Sequence, residues 1–270
     1  MLDSIFKKGA KWSLVAAIAL LLTPDLAKAA PARKPPENLT ELLGKLETAA
    51  NNADLEVVRA AYSSDFTTAS GLNPSEMAQK LEQFWENYSR VDYRIELQSW
   101  EKQGDAIVAE TVTRVRGLRE AQGRDILLEA TLRSRQRIVD GKITMQEMLS
   151  ERSQVYIGDN APRVTVNAPD QVRVGKQFNF DVIVREPVGD DILLGTALEE
   201  EVTASNYLNS RELDLEILPA GGIYRLGEAP TAPGKRWLSA IIVRDDGITL
   251  VSQRLNIVPA KSALSNPKKD

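Results

Sequence analysis

The sequence predicts an α+β fold: three helices packed on a curved, cone-like antiparallel sheet, followed by an all-β sandwich. Three observations carry this reading. Apolar residues fall three and four apart from Leu39 to Ala61, the spacing of one helix face. From Tyr93 onward they fall two apart, the spacing of one sheet face. Beyond Gly158–Pro162 the chain breaks into short alternating runs punctuated by Gly and Pro.

Each element follows in order. A basic stretch with Lys7, Lys8 and Lys11 precedes an apolar run from Leu14 to Leu22, Pro24, and the small-x-small site Ala27-Lys28-Ala29. This is the pattern of an export signal cleaved after Ala29, and the run is too short to span a bilayer. Cleavage removes four lysines and two aspartates, so the chain's net charge of −4 becomes −6 in the mature protein. An acidic mature chain without a later apolar span argues against coating nucleic acid and against crossing a membrane. Residues 30–37 form a Pro-rich linker.

A first domain is expected over 38–158. It opens with a helical hairpin: Leu39, Leu42, Leu43 and Leu46, then Leu55, Val58 and Ala61, with Asp54 capping the second helix. Asn73-Pro74 starts a third helix, with Met77, Leu81, Phe84, Trp85 and Tyr88 on one side. Strands follow from Tyr93, over 106–117, 125–139 and 142–157. Asp140-Gly141 joins the last two as a two-residue turn, because both positions tolerate positive φ. An unbroken ladder from that turn pairs Ile138 with Ile143, Gln136 with Met145, Ser134 with Glu147, Leu132 with Leu149 and Ala130 with Glu151 on one face. The other face pairs Arg137 with Thr144, Arg135 with Gln146, Arg133 with Met148 and Glu129 with Arg152.

A second domain is expected over 162–259, with strands at 163–167, 171–174, 177–185, 191–197, 212–218, 222–227, 236–244 and 248–258. Short strands at that spacing predict an immunoglobulin-like sandwich. Residues 260–270 read as a disordered tail.

Three helices followed by long, curved antiparallel strands is the order of the nuclear transport factor 2-like superfamily, which includes SnoaL-like proteins. A second helix ending in Ala61-Tyr62-Ser63-Ser64-Asp65-Phe66, a loop, a third helix with the Phe84-Trp85 pair and then the strand opening at Val91 resemble that family over residues 38–157. The resemblance implies helices over one face of a conical sheet and a pocket at its open end. It also implies two kinds of member: isomerases, dehydratases and cyclases, and non-catalytic binding modules. Its catalytic members use an Asp with a His or Tyr. The pairing with a C-terminal sandwich is similar to exported proteins of photosynthetic bacteria, which implies a periplasmic or thylakoid-lumen location.

The chain has no histidine and no cysteine. Ser-His-Asp and Cys-His sites, imidazole and thiolate metal sites, redox dithiols and disulfides are therefore excluded. The family's Asp–His chemistry goes with them. No cofactor and no metal is expected.

The candidate ligand-binding residues are Glu147, Glu151, Ser134 and Gln136, which the ladder above turns inward, and Tyr62, Trp85 and Trp100 from the aromatic set. Two inward carboxylates can bind a polar ligand or, if buried, act as acid or base. The plainer alternative pairs them with arginines of neighbouring strands, and has the aromatics simply filling the core. Arg133, Arg135 and Arg137 form a row suited to carboxylates of a partner, against the alternative of a solvated outer face. Glu199, Glu200 and Glu201 with Asp190 and Asp191 lack the spacing of a calcium loop.

The leading reading is an exported, soluble binding or assembly factor. It would act through a protein partner, self-association or a small ligand, without nucleic acid and without spanning a membrane. The alternatives are a cofactor-free isomerase, dehydratase or lyase using a pocket carboxylate, and a structural subunit of an envelope or photosynthetic-membrane complex.

Overall fold

A computed structural model describes residues 34–68, 74–189, 191–202, 214–219, 221–245 and 247–260. The described residues from Pro35 onward form one compact unit. The expected export signal and its cleavage site, half of the linker, Asn73, Asp190 and residues 261–270 of the tail lie outside the described residues.

Helix α1 (Glu37–Asn51) buries Leu39, Leu42, Leu43, Leu46 and Ala49, the stripe that the spacing predicts. The Asp54 side chain caps α2 (Leu55–Ala60) by accepting from the Val57 N–H at 3.1 Å. The second helix stops earlier than expected. Tyr62–Thr68 is a strand, β1. Ile143 N donates to Ala61 O at 2.9 Å, which draws the chain out of the helix and alongside a sheet strand. Helix α3 (Pro74–Asn87) places Met77, Leu81 and Trp85 against the same core.

Strands β2 (Arg90–Gln103), β3 (Ala106–Ala121), β4 (Arg124–Val139) and β5 (Lys142–Ile157) form antiparallel neighbours. Asp140 and Gly141 both have positive φ, 48° and 73°, so the expected tight turn is present and Val139 pairs with Lys142. Helix α1 closes the outer edge of β2 with side chains. Asn51 exchanges two hydrogen bonds with the Tyr93 backbone (2.7 and 2.9 Å), and a Glu47 oxygen accepts from Ile95 N at 2.6 Å. Those bonds satisfy backbone groups that an exposed edge would offer to another chain.

The remaining strands are β6 (Val164–Asn167), β7 (Gln171–Arg173), β8 (Gln177–Val184), β9 (Leu193–Glu201), β10 (Glu216–Ile217), β11 (Gly222–Glu228), β12 (Gly234–Arg244) and β13 (Gly247–Val258). The predicted fold class is overturned here. Instead of a cone of three packed helices followed by a separate immunoglobulin-like sandwich, one ten-stranded sheet runs through both regions, with main path β10-β9-β12-β13-β5-β4-β3-β2. The physical reason is that β5 pairs on both sides: with β4, and with β13 from Ile248↔Ile157 to Gln253↔Arg152. The turn residues at 158–162 carry the chain from β5 to β6 of a second, smaller sheet, while the large sheet continues through β13. A three-stranded sheet, β11-β8-β6, packs Phe178, Phe180, Val182 and Val184 against Leu238, Ala240, Ile242, Val251 and Leu255 of the large sheet. Gly195 of β9 is tightly enclosed: a side chain there would meet Ile241 O of the neighbouring β12 at 2.6 Å and Leu218 Cδ1 at 2.7 Å.

Candidate functional site

The site is built by two breaks in the β4–β5 ladder. Ile138 faces Ile143 as expected, but Arg137 faces Met145, which leaves Thr144 as an extra residue. Its hydroxyl donates to Arg137 O at 3.2 Å. A second irregularity leaves Leu149 over, between Ser134↔Met148 and Arg133↔Ser150. A bulge of one residue turns the side chains after it to the opposite face, and a second restores them. The unbroken register is therefore corrected: Gln136 faces Gln146, Arg135 faces Glu147, Leu132 faces Glu151 and Ala130 faces Ser153.

The two carboxylates expected together are thereby separated. Glu147 lies on the outer face, 3.3 Å from Arg135. Glu151 lies on the inner face and accepts from Arg254 at 2.7 Å. The Arg254 side chain is 3% exposed and that of Glu151 21%, and the guanidinium stands 4.6 Å from the Trp237 ring centroid. Neither carboxylate is a free buried acid.

On the outer face, Glu110 of β3 gathers the arginine row. One oxygen accepts from Arg133 and the other from Arg135, each at 2.7 Å. Those hydrogen bonds, Arg135's first, hold the Glu110 carboxyl below its ordinary pKa, and the bond to Glu110 raises that of Arg135. Arg137 is exposed and stands apart from this cluster. It lines a groove of about 680 Å³ with Trp100, Glu101, Glu110, Arg135 and Glu147. Further along the same sheet, Arg114 pairs with Glu96 and Arg116 with Glu129.

A second groove, of about 670 Å³, shares Glu110, Arg135 and Glu147 with the first. It opens where the sheet forks. Strand β13 leaves β5 after Gln253↔Arg152 and goes on to pair with β7 from Asn256↔Gln171. Side chains staple the fork. Asn256 Nδ2 donates to the carbonyl of the extra residue Leu149 at 2.8 Å and to Asp170 O at 3.2 Å. Arg152 pairs with Asp170 at 2.8 Å. Lys235 of β12 lines this groove, half-buried.

The inner face holds the other expected residues. Ser134 is buried and donates to Met148 Sδ at 3.6 Å. Gln136 is buried and donates to Gln146 Oε1 at 3.3 Å, while its own Oε1 and the hydroxyl of Thr111 beside Ser134 lack a hydrogen-bond partner among the described residues. Tyr62 packs edge-on against Phe66 at 4.7 Å. Trp85 Nε1 donates to Tyr93 Oη at 3.1 Å. Burial pushes both the Tyr62 and Tyr93 hydroxyls up to about 12. A phenol with so high a pKa is a poor base at neutral pH. Tyr62, Phe66, Trp85 and Trp100 pack in the core that α1 and α2 form with the sheet. Among the acidic residues of β9, Glu199 and Glu201 are taken by Arg236 at 3.7 and 2.5 Å. Among the described residues, no group of three or more acidic side chains is placed to hold a metal ion.

Sequence reasoning missed Glu110, Lys235, Arg254 and Asn256. Glu110 carried a readable signal, an acid sharing one face of β3 with Arg114 and Arg116. Arg254 carried a fainter one, a charge sharing its face with Leu250 and Ser252.

Residues 159–258 match the family model described as Domain of unknown function (DUF8623). No curated protein matches. Among solved structures, the chain is similar to an LEH-like epoxide hydrolase of M. tuberculosis, at 16% identity over 41% of this chain and 80% of that one, with a TM-score of 0.29. It is similar to a nuclear transport factor 2-like family member of Streptomyces avermitilis, at 9% identity over 42% of this chain and 93% of that one, TM-score 0.34. It is also similar to Bd1075 of Bdellovibrio bacteriovorus, at 15% identity and TM-score 0.31, covering 41% of this chain but only 38% of the Bdellovibrio chain. Structures of the nuclear transport factor 2-like kind are thus similar to part of this chain.

Proposed function

We propose that this chain is a non-catalytic binding or assembly protein that meets a protein partner on the outer face of β3, β4 and β5. The observation that carries the reading is the Glu110–Arg133–Arg135–Glu147 cluster, with an open groove on each side that shares three of its members. Charged groups arranged in a preformed network on a broad, open surface suit electrostatic steering and register of a partner. The enzyme alternative loses its main support, because Glu147 and Glu151 no longer share a face and Glu151 is held by Arg254. Among the described residues no helix is long and apolar enough to cross a membrane. The export pattern of residues 1–29 supports a partner in the periplasm or thylakoid lumen.

The test is affinity purification of the full chain from its native membranes and compartment fluid, with each co-purifying protein identified. Arg137→Glu, which breaks none of the ion pairs in the cluster, should release the partner, as should Arg133→Glu combined with Arg135→Glu. Arg116→Glu, further along the sheet, should leave it bound. Unchanged capture by Arg137→Glu and by the double variant would remove the outer face from the account.

A further inference from the structure

Counting charges in the forked groove leaves one over. Three carboxylates line it, and arginines occupy all three: Glu110 takes Arg133 and Arg135, Glu147 takes Arg135, and Asp170 takes Arg152. The fourth basic group at the fork, Arg254, is committed to Glu151. Lys235 is different. It is half-buried, faces Asn256 across the ladder, and makes no ion pair among the described residues. Its electrostatic surroundings are unfavourable. Burial, and then the charge of Arg254, lower its pKa from the ordinary lysine value, and Glu147 offsets this only in part. A half-buried cation beside a second cation, at the wall of an open groove, is relieved by an incoming anion more than by water.

We infer that the forked groove takes a carboxylate on Lys235, supplied by an acidic peptide segment of the partner. This rests on the outer-face reading for the carboxylate's source. The site itself rests on the fork, the groove and the charge left over. A peptide is favoured over a free small acid because the groove is long and open. It runs from Glu110 and Arg133 on β3 and β4 to Lys235 and Val258 near the ends of β12 and β13. One small carboxylate would fill little of its volume of about 670 Å³.

The experiment is calorimetric titration of the full chain with two probes, a Gly-Glu-Glu-Glu-Gly peptide and succinate. The peptide should bind wild type, Lys235→Arg should stay close to it, and Lys235→Met should bind about tenfold more weakly, as expected when one member of a partly desolvated ion pair is removed. Arg116→Met should match wild type. Equal peptide binding by Lys235→Met and wild type, or no binding to wild type, overturns the inference. Succinate binding as tightly as the peptide overturns the peptide as occupant. The outer-face reading is judged separately, by partner capture with Arg137→Glu. Capture that persists in Lys235→Met, while peptide binding is lost, overturns only the assignment of the carboxylate to the partner.

Discussion

Strand β5 contains two regions that one alternating sequence would not separate. From Arg152 to Ile157 it lies between β4 and β13, bonded on both edges, and its register is regular. From Glu147 to Glu151 its ladder partner is β4 alone, and the bulge at Leu149 falls there. The comparison shows what fixes side-chain direction in a sheet. A second edge paired in regular register, as β13 gives from Arg152 to Ile157, holds the strand to strict alternation; at Thr144 the second partner, β1, is itself irregular between Tyr62 and Thr67. One free edge tolerates an extra residue, provided its backbone groups find partners. Asn256 supplies that partner at Leu149 O. The two bulges then aim Glu147 outward to Arg135 and Glu151 inward to Arg254, so a pair of acids that looks like a catalytic dyad becomes two unrelated ion pairs.

The two pairs differ most in burial, which gives the largest expected effect. Arg254→Met strands a mostly buried carboxylate and should lower unfolding free energy by about 3 kcal/mol in urea titration. Adding Glu151→Leu should restore most of the loss. Arg135→Met, on the half-exposed outer pair, should cost about 1 kcal/mol or less. Equal losses would break the contrast between the two regions.

A smaller effect sharpens it. Glu110's folded pKa lies below its ordinary 4.5. A carboxyl depressed on folding contributes stability above its unfolded pKa and loses it as pH falls through the folded one. Stability should therefore fall below about pH 4.5, and Glu110→Gln should flatten that acid limb. A variant with the same acid slope as wild type would show that the Glu110 cluster is not held together in solution.

Much of the fold was legible where its cause is local. The α1 stripe, the Asp54 cap, the Asp140-Gly141 turn and the short strands after residue 162 each follow from spacing or from backbone freedom at particular residues. What was not legible is non-local. Nothing in Ile248–Gln253 announces that it will pair with Arg152–Ile157, about 95 residues earlier, and that pairing joins two expected folds into one sheet. The bulges were also hidden, because Thr144 and Leu149 suit a strand as well as their neighbours do. Of the candidate site, Arg133, Arg135 and Arg137 share one face of β4, but only the first two meet on one carboxylate. Their organising acid Glu110, and the Lys235 and Asn256 that meet it at the fork, come from strands whose adjacency no spacing reveals. Tyr62 was placed in a helix because its β1 ladder depends on Ile143, far away in sequence.

The bulge at Thr144 decides which face carries the site, and the chain's lack of cysteine makes it directly testable. Single Gln146→Cys and Glu147→Cys variants of the folded protein should be labelled with a bulky maleimide and their rates compared. The account predicts faster labelling at 147, which points to solvent beside Arg135, than at 146, which faces buried Gln136. Faster labelling at 146 would show an unbroken ladder, with Glu147 turned inward, and would contradict the site described above.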